Sequence, residues 1–237
     1  EPTVDLFAAE TLSLLAWTYY LLSDRLDSVS PLIRSRIVYE SQRRALTPCL
    51  EREDFSWMGF HGRSVNNWNP WICSNWLTGT LLLEEDAGRR LASVKKILQC
   101  LDAFIKGYHS DGGCDEGPGY WGRAGASLFD NLEILYSATD GAMDVYTQPL
   151  IRNMGQFIYR AQIADHYFAN FADASAVVTP SPSLTFRYGK AIGDRGMVAL
   201  GAWAAREQNL DSGVLNDSLA RQLPALFALD ALAKAEP

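Results

Sequence analysis

Apolar residues recur at helical spacing along almost the whole chain, and no sustained alternating pattern competes with them. Residues 5–26 carry Leu6, Leu12, Leu14, Leu15, Trp17, Tyr19, Tyr20, Leu21 and Leu22, too long an apolar segment for one strand. A second segment, 30–48, opens on Ser30-Pro31, a helix-start signature, and keeps Leu32, Ile33, Ile37, Val38 and Leu46. The same reading predicts helices over 68–85, 88–107, 123–138, 144–169, 188–208 and 214–233, with Glu84 to Gly88 as a turn. The best strand signal, Val177 to Tyr188, is broken by Pro180 and Pro182. Consecutive helices with short connections and apolar residues on more than one face predict an all-α chain. The expected architecture is paired antiparallel helices in an incomplete α/α toroid, or else a plain bundle. No fixed repeat marks a solenoid family. No linker or low-complexity tract interrupts the 237 residues, so one domain over 1–237 is expected. Glu1-Pro2-Thr3 reads as neither an initiator Met nor a signal peptide and the C-terminus as an arbitrary cut, so a piece of a longer protein is expected.

Charge and composition exclude several classes. Lys and Arg total 21 against 28 Asp and Glu, a formal charge of −7. That balance argues against a nucleic-acid binder, and an acidic ligand would need a local basic or amide-rich pocket. With 48% apolar and 11% aromatic residues the chain can bury a core, and no apolar run is long enough for a membrane span. Cys49, Cys73, Cys100 and Cys114 form no CxxC pair and have no clustered histidines beside them, so they read as buried small hydrophobes. No metal or other cofactor is expected in this segment, and nothing sets the oligomeric state.

Two stretches look unlike helix connections. In the first, His61 precedes Asn66-Asn67-Trp68-Asn69-Pro70-Trp71, with three Asn and two Trp in six residues. Amides bond hydroxyls without charge, and indoles offer a flat face, a combination suited to sugars. The bland alternative is that Asn66 or Asn67 caps the next helix while the tryptophans fill the core. In the second, Asp111 to Gly125 holds six Gly and Pro118, which predicts a shaped loop presenting Asp115, Glu116, Tyr120, Trp121 and Arg123. Its alternative is a structural turn whose Tyr and Trp plug the core. His109 and His166 complete the histidines. No GxSxG or HExxH motif points to a serine hydrolase or a zinc protease.

The string Asn66-Asn67-Trp68-Asn69, followed by Asp111-Gly112-Gly113 and Glu116-Gly117-Pro118-Gly119-Tyr120-Trp121-Gly122, resembles the heparinase II/III-like polysaccharide lyases. The likeness is to their N-terminal alginate-lyase-like toroid and covers about residues 5–235. It implies β-elimination on a uronic-acid polysaccharide, with an acidic polysaccharide as partner and a secreted or periplasmic address. A uronate C5 proton is too weakly acidic to leave beside an ionised carboxylate. An amide must neutralise that charge while an acid/base handles the proton. By motif position the resemblance assigns the neutralising amide to Asn67 and the acid/base to Tyr120, with His166 assisting. Substrate contacts are expected from His61, Asn66, Trp68, Asn69, Trp71, Glu116, Trp121 and Arg123. The sequence departs from the family at Trp68, where a His often follows the Asn, and His61 is the nearest substitute. The family's C-terminal β-sandwich, which supplies further cleft residues, is not in this sequence. Two rivals stand beside the lyase reading. One is a toroid glycoside hydrolase pairing Asp115 or Glu116 with Asp173. The other is a glycan-binding module using Trp68, Trp71 and Trp121.

Overall fold

The computed structural model describes residues 2–209 and 218–237, and its fold is all-α apart from one small hairpin. Two compact units, Glu1–Gly107 and Tyr108–Pro237, divide the chain.

In the first unit, α1 (Leu6–Val29) starts at Asp5, whose carboxylate accepts from the Ala8 N–H at 2.8 Å. Ser30 ends it and caps α2 (Pro31–Ser41), with Pro31 in the first turn as the sequence predicts. The helix expected over 30–48 runs further. It passes through a π segment, Gln42–Leu46, into α3 (Thr47–Glu51). Pro48 explains the change of pitch: it has no N–H, and its ring disfavours the ordinary helical bond. The Lys96 ammonium closes the far end, donating to the Leu50 and Arg52 carbonyls at 3.0 and 2.6 Å.

The central element of this unit is α4 (Trp68–Leu83), with Ile72, Cys73, Trp76 and Leu77 fully buried. α1 and α5 (Ala87–Gly107) pack on it. Gly79 makes the α1 crossing possible, since a Cβ there would lie 2.7 Å from Leu12. All four cysteines of the chain are free and buried, as the sequence leads one to expect.

The second unit holds α6 (Gly125–Ala138), α7 (Pro149–Arg160), β1 (Gln162–Ala164), β2 (Tyr167–Phe168), α8 (Pro182–Ile192), α9 (Arg195–Glu207) and α10 (Leu219–Ala233). Two expectations are corrected here. The helix expected over 144–169 spans only α7 and gives way to an antiparallel hairpin that turns at Asp165, φ 48. The helix expected over 188–208 is two helices. Gly193, at φ 66, ends α8, and Asp194 caps α9 by accepting from the Met197 N–H at 2.9 Å. Of the weak strand over Val177–Tyr188, only Val177 pairs, in a bridge to Tyr167, and Pro182 opens α8. The start expected at 214 for the last helix lies outside the described residues. The core of this unit is a stack of rings. Tyr188 lies 4.4 Å from Phe129 and 6.3 Å from Trp121, nearly parallel to both. No helix among the described residues is long and apolar enough to cross a membrane.

Candidate functional site

Within the first unit, the Asn/Trp cluster forms the N-terminus of α4. Asn66 is exposed, and its side-chain oxygen accepts from the Trp68 N–H at 3.2 Å, so the first Asn does the capping. Asn67 follows at the helix boundary and is buried. Asn69 has no exposed surface. Its amide donates to the Trp57 carbonyl at 2.8 Å and the Cys100 carbonyl at 2.9 Å, tying the preceding loop to α5. Burial takes Asn69 away from any surface a polymer could reach, which corrects its assignment as a substrate contact. Trp71 is half-buried, with its indole N–H on Glu10 at 2.9 Å. Trp68 stays 39% exposed. His61 is exposed in the left-handed region, φ 60, with Nε2 3.7 Å from Glu53 Oε2.

Within the second unit, the Gly-rich segment ends in a short 3-10 helix, Pro118–Arg123. Its glycines let it pack closely against neighbouring backbone. Gly112, φ 82, runs so close to α7 that a Cβ would sit 2.1 Å from the Asn153 carbonyl carbon. Gly117, φ 88, also lies close to residues 171–174, where a Cβ would sit 2.5 Å from Ala174 Cβ. Trp121 points inward and is buried in the ring stack, its indole donating to the Met154 carbonyl at 2.7 Å. The expectation that Trp121 meets substrate is therefore corrected, because the core consumes both its face and its N–H. Tyr120, next to it, points the other way and is 38% exposed. Glu116 and Arg123 are half-buried on the same turn.

Arg221 of α10 clamps the end of this turn. It donates to the Gly122 carbonyl at 2.6 Å and to the Ser127 hydroxyl at 3.1 Å, and pairs with Asp130 at 2.6 Å. A second pair, buried Arg187 with half-buried Glu133, lies beside the Phe129 ring. Burial holds the Glu133 carboxyl above its ordinary value, and Arg187 only partly offsets this. Burial also raises the Cys114 thiol to about 11, so this cysteine is not a thiolate nucleophile at neutral pH. Neither clamp was visible in the sequence. Arg221 and Asp130 are 91 positions apart and belong to no shared motif.

His166 sits on the hairpin turn, against α9. Its ring centroid is 5.0 Å from that of Trp203, and Nε2 is 3.6 Å from Glu207 Oε2. An open groove of about 880 Å³ between α1 and α2, lined by Leu32, Ile33, Ile37 and Tyr39, contains no sequence-predicted site residue. Among the described residues no group of three or more His, Cys, Asp or Glu is placed to hold a metal ion.

No protein-family model matches the chain, and no curated protein matches it significantly.

Proposed function

We propose that the protein is a polysaccharide lyase, cleaving a uronic-acid polymer by β-elimination. The observation that carries this reading is the opposed fate of Tyr120 and Trp121. The indole and the glycine contacts anchor the turn, and the anchored turn holds one phenol at the surface. A reactive hydroxyl gains most when its scaffold needs no reorganisation. In the reaction a base takes the C5 proton, the electrons form the C4=C5 double bond, and the C4–O bond breaks. An acid then protonates the leaving oxygen. Tyr120 serves as acid/base, with Arg123 and His166 assisting. Carboxylate neutralisation is the role that the resemblance assigns to Asn67, which stands at the start of a 16-residue helix of the first unit, where the backbone dipole favours negative charge. The toroid and the secreted or periplasmic address belong to this same proposal.

The test is an incubation with alginate, heparin, heparan sulfate, hyaluronan and chondroitin, followed by the ultraviolet absorbance of the conjugated double bond. Tyr120→Phe removes only the hydroxyl. It should lower kcat by at least about 100-fold, the usual share of a general acid/base, and leave the fold intact. An unchanged rate in Tyr120→Phe would overturn the assignment. A hydrolase reading keeps one point in its favour: Asp173 is exposed on a turn packed against the Gly-rich segment that carries Asp115 and Glu116. That reading yields reducing ends without the double bond.

A further inference from the structure

The segment after the hairpin carries a strained turn. Residues 171–174 close a β-turn, the Ala174 N–H donating to the Phe171 carbonyl at 3.1 Å. Its second residue, Ala172, has φ 47, a region that suits Gly, Asn or Asp and that an alanine Cβ resists. Two neighbours impose the conformation. On one side stands the Gly-rich turn. A Cβ at Gly117 would lie 2.5 Å from Ala174 Cβ and 2.7 Å from the Phe171 carbonyl oxygen, and one at Gly119 would lie 3.5 Å from Ala174 Cα. On the other side the hairpin grips residues 176–178, with the Phe168 N–H on the Ala176 carbonyl at 2.8 Å and the Val178 N–H on the His166 carbonyl at 3.0 Å. Backbone strain persists only where surroundings over-determine it, and it gathers at ligand-binding positions.

The strained turn leaves Phe171 45% exposed, with Asn170 and Asp173 exposed on either side of it. A single exposed apolar ring is ordinary. A ring on a strained turn is less so when that turn is wedged against the turn presenting Tyr120. We propose that Phe171 forms a sugar-binding subsite beside Tyr120. Its ring stacks on the C–H face of a pyranose, and Asn170 and Asp173 bond the hydroxyls. The subsite takes its ligand class from the polysaccharide reading but does not depend on the elimination chemistry. Phe171 is thus a binding residue, and Tyr120 remains the group that touches the reacting atoms.

The experiment is electrophoresis of the folded protein through native gels cast with each of the same five polymers, together with steady-state kinetics on any polymer that is cleaved. The wild-type protein should be retarded by at least one polymer. Phe171→Ala should weaken that binding about tenfold, and Phe171→Trp should retain it. Where turnover exists, Phe171→Ala should raise KM about tenfold with kcat within about twofold, the signature of lost uniform binding. If Phe171→Ala fails to fold, Phe171→Leu keeps the bulk, removes the flat face, and should show the same loss. Equal retardation of wild type and of folded Phe171→Ala or Phe171→Leu would overturn the subsite, as would a wild type retarded by none of the polymers. Retardation that depends on Phe171, without any double-bond product, would uphold the subsite while removing the lyase reading.

Discussion

Tyr120 and Trp121 are adjacent in sequence and opposite in role, and the difference is one of burial. Truncating Trp121 empties the ring stack and leaves the Met154 carbonyl without its indole. Trp121→Ala should therefore cost about 3–5 kcal/mol in urea unfolding, whereas Tyr120→Phe should stay within about 0.5 kcal/mol. The sequence showed that both rings sit in a shaped loop, but not which one faces inward. That depends on Tyr188 and Phe129, which arrive from other helices. The same limit applies to Asn69, whose partners come from a loop and from α5. The cysteines were legible because small apolar thiols without ligand spacing have one ordinary fate.

The partly buried Glu133–Arg187 pair makes a pH-dependent prediction. Burial raises the Glu133 carboxyl in the folded state, so the folded protein holds this proton more tightly than the unfolded chain does. The resulting stabilisation is full below the unfolded value, about pH 4.3, and is lost as pH rises through the raised folded value. Glu133→Gln should flatten that part of the stability–pH curve. Arg187→Ala leaves the half-buried carboxylate without this partner and should cost about 1–3 kcal/mol at neutral pH, read from the denaturant midpoint.

Among the elements, helix existence was legible and helix boundaries were legible only in part. Ser30-Pro31 marked the α1–α2 junction because it is a cap followed by a proline in the first turn. Gly193-Asp194 is an equally physical signal, a left-handed terminator followed by a side-chain cap, and it separates α8 from α9. Pro149 likewise sets the start of α7. The hairpin after α7 was hidden because its strands are only three and two residues long, too short for an alternating pattern to register. Two glycines test how far backbone freedom and close approach can be separated. Gly193→Ala has open space around its Cβ and should cost only about 1 kcal/mol, the left-handed penalty. Gly112→Ala adds a clash with the α7 backbone and should cost several times as much, on the order of 3 kcal/mol or more. Thermal midpoints of the two variants decide this, and equal losses would show that the Gly-rich turn is less tightly held than its geometry requires.

For the whole molecule, the helical period and the sparse strand signals fixed the all-α class. The period repeats over most of the chain and does not depend on any one contact. The chemistry is less visible at this scale. A formal charge of −7 gives an acidic polymer no long-range attraction, so the proposed recognition would have to rest on local groups. In the proposed account the second unit offers the Tyr120 phenol, the Arg123 cation and the Phe171 ring, the last of which no motif marked. The most direct test of the lyase account compares two products of one digestion, new reducing ends and new conjugated double bonds, on whichever uronate polymer the protein cleaves. Elimination predicts one double bond for every chain scission, with both products lost together in Tyr120→Phe. Reducing ends that accumulate without double bonds would contradict it.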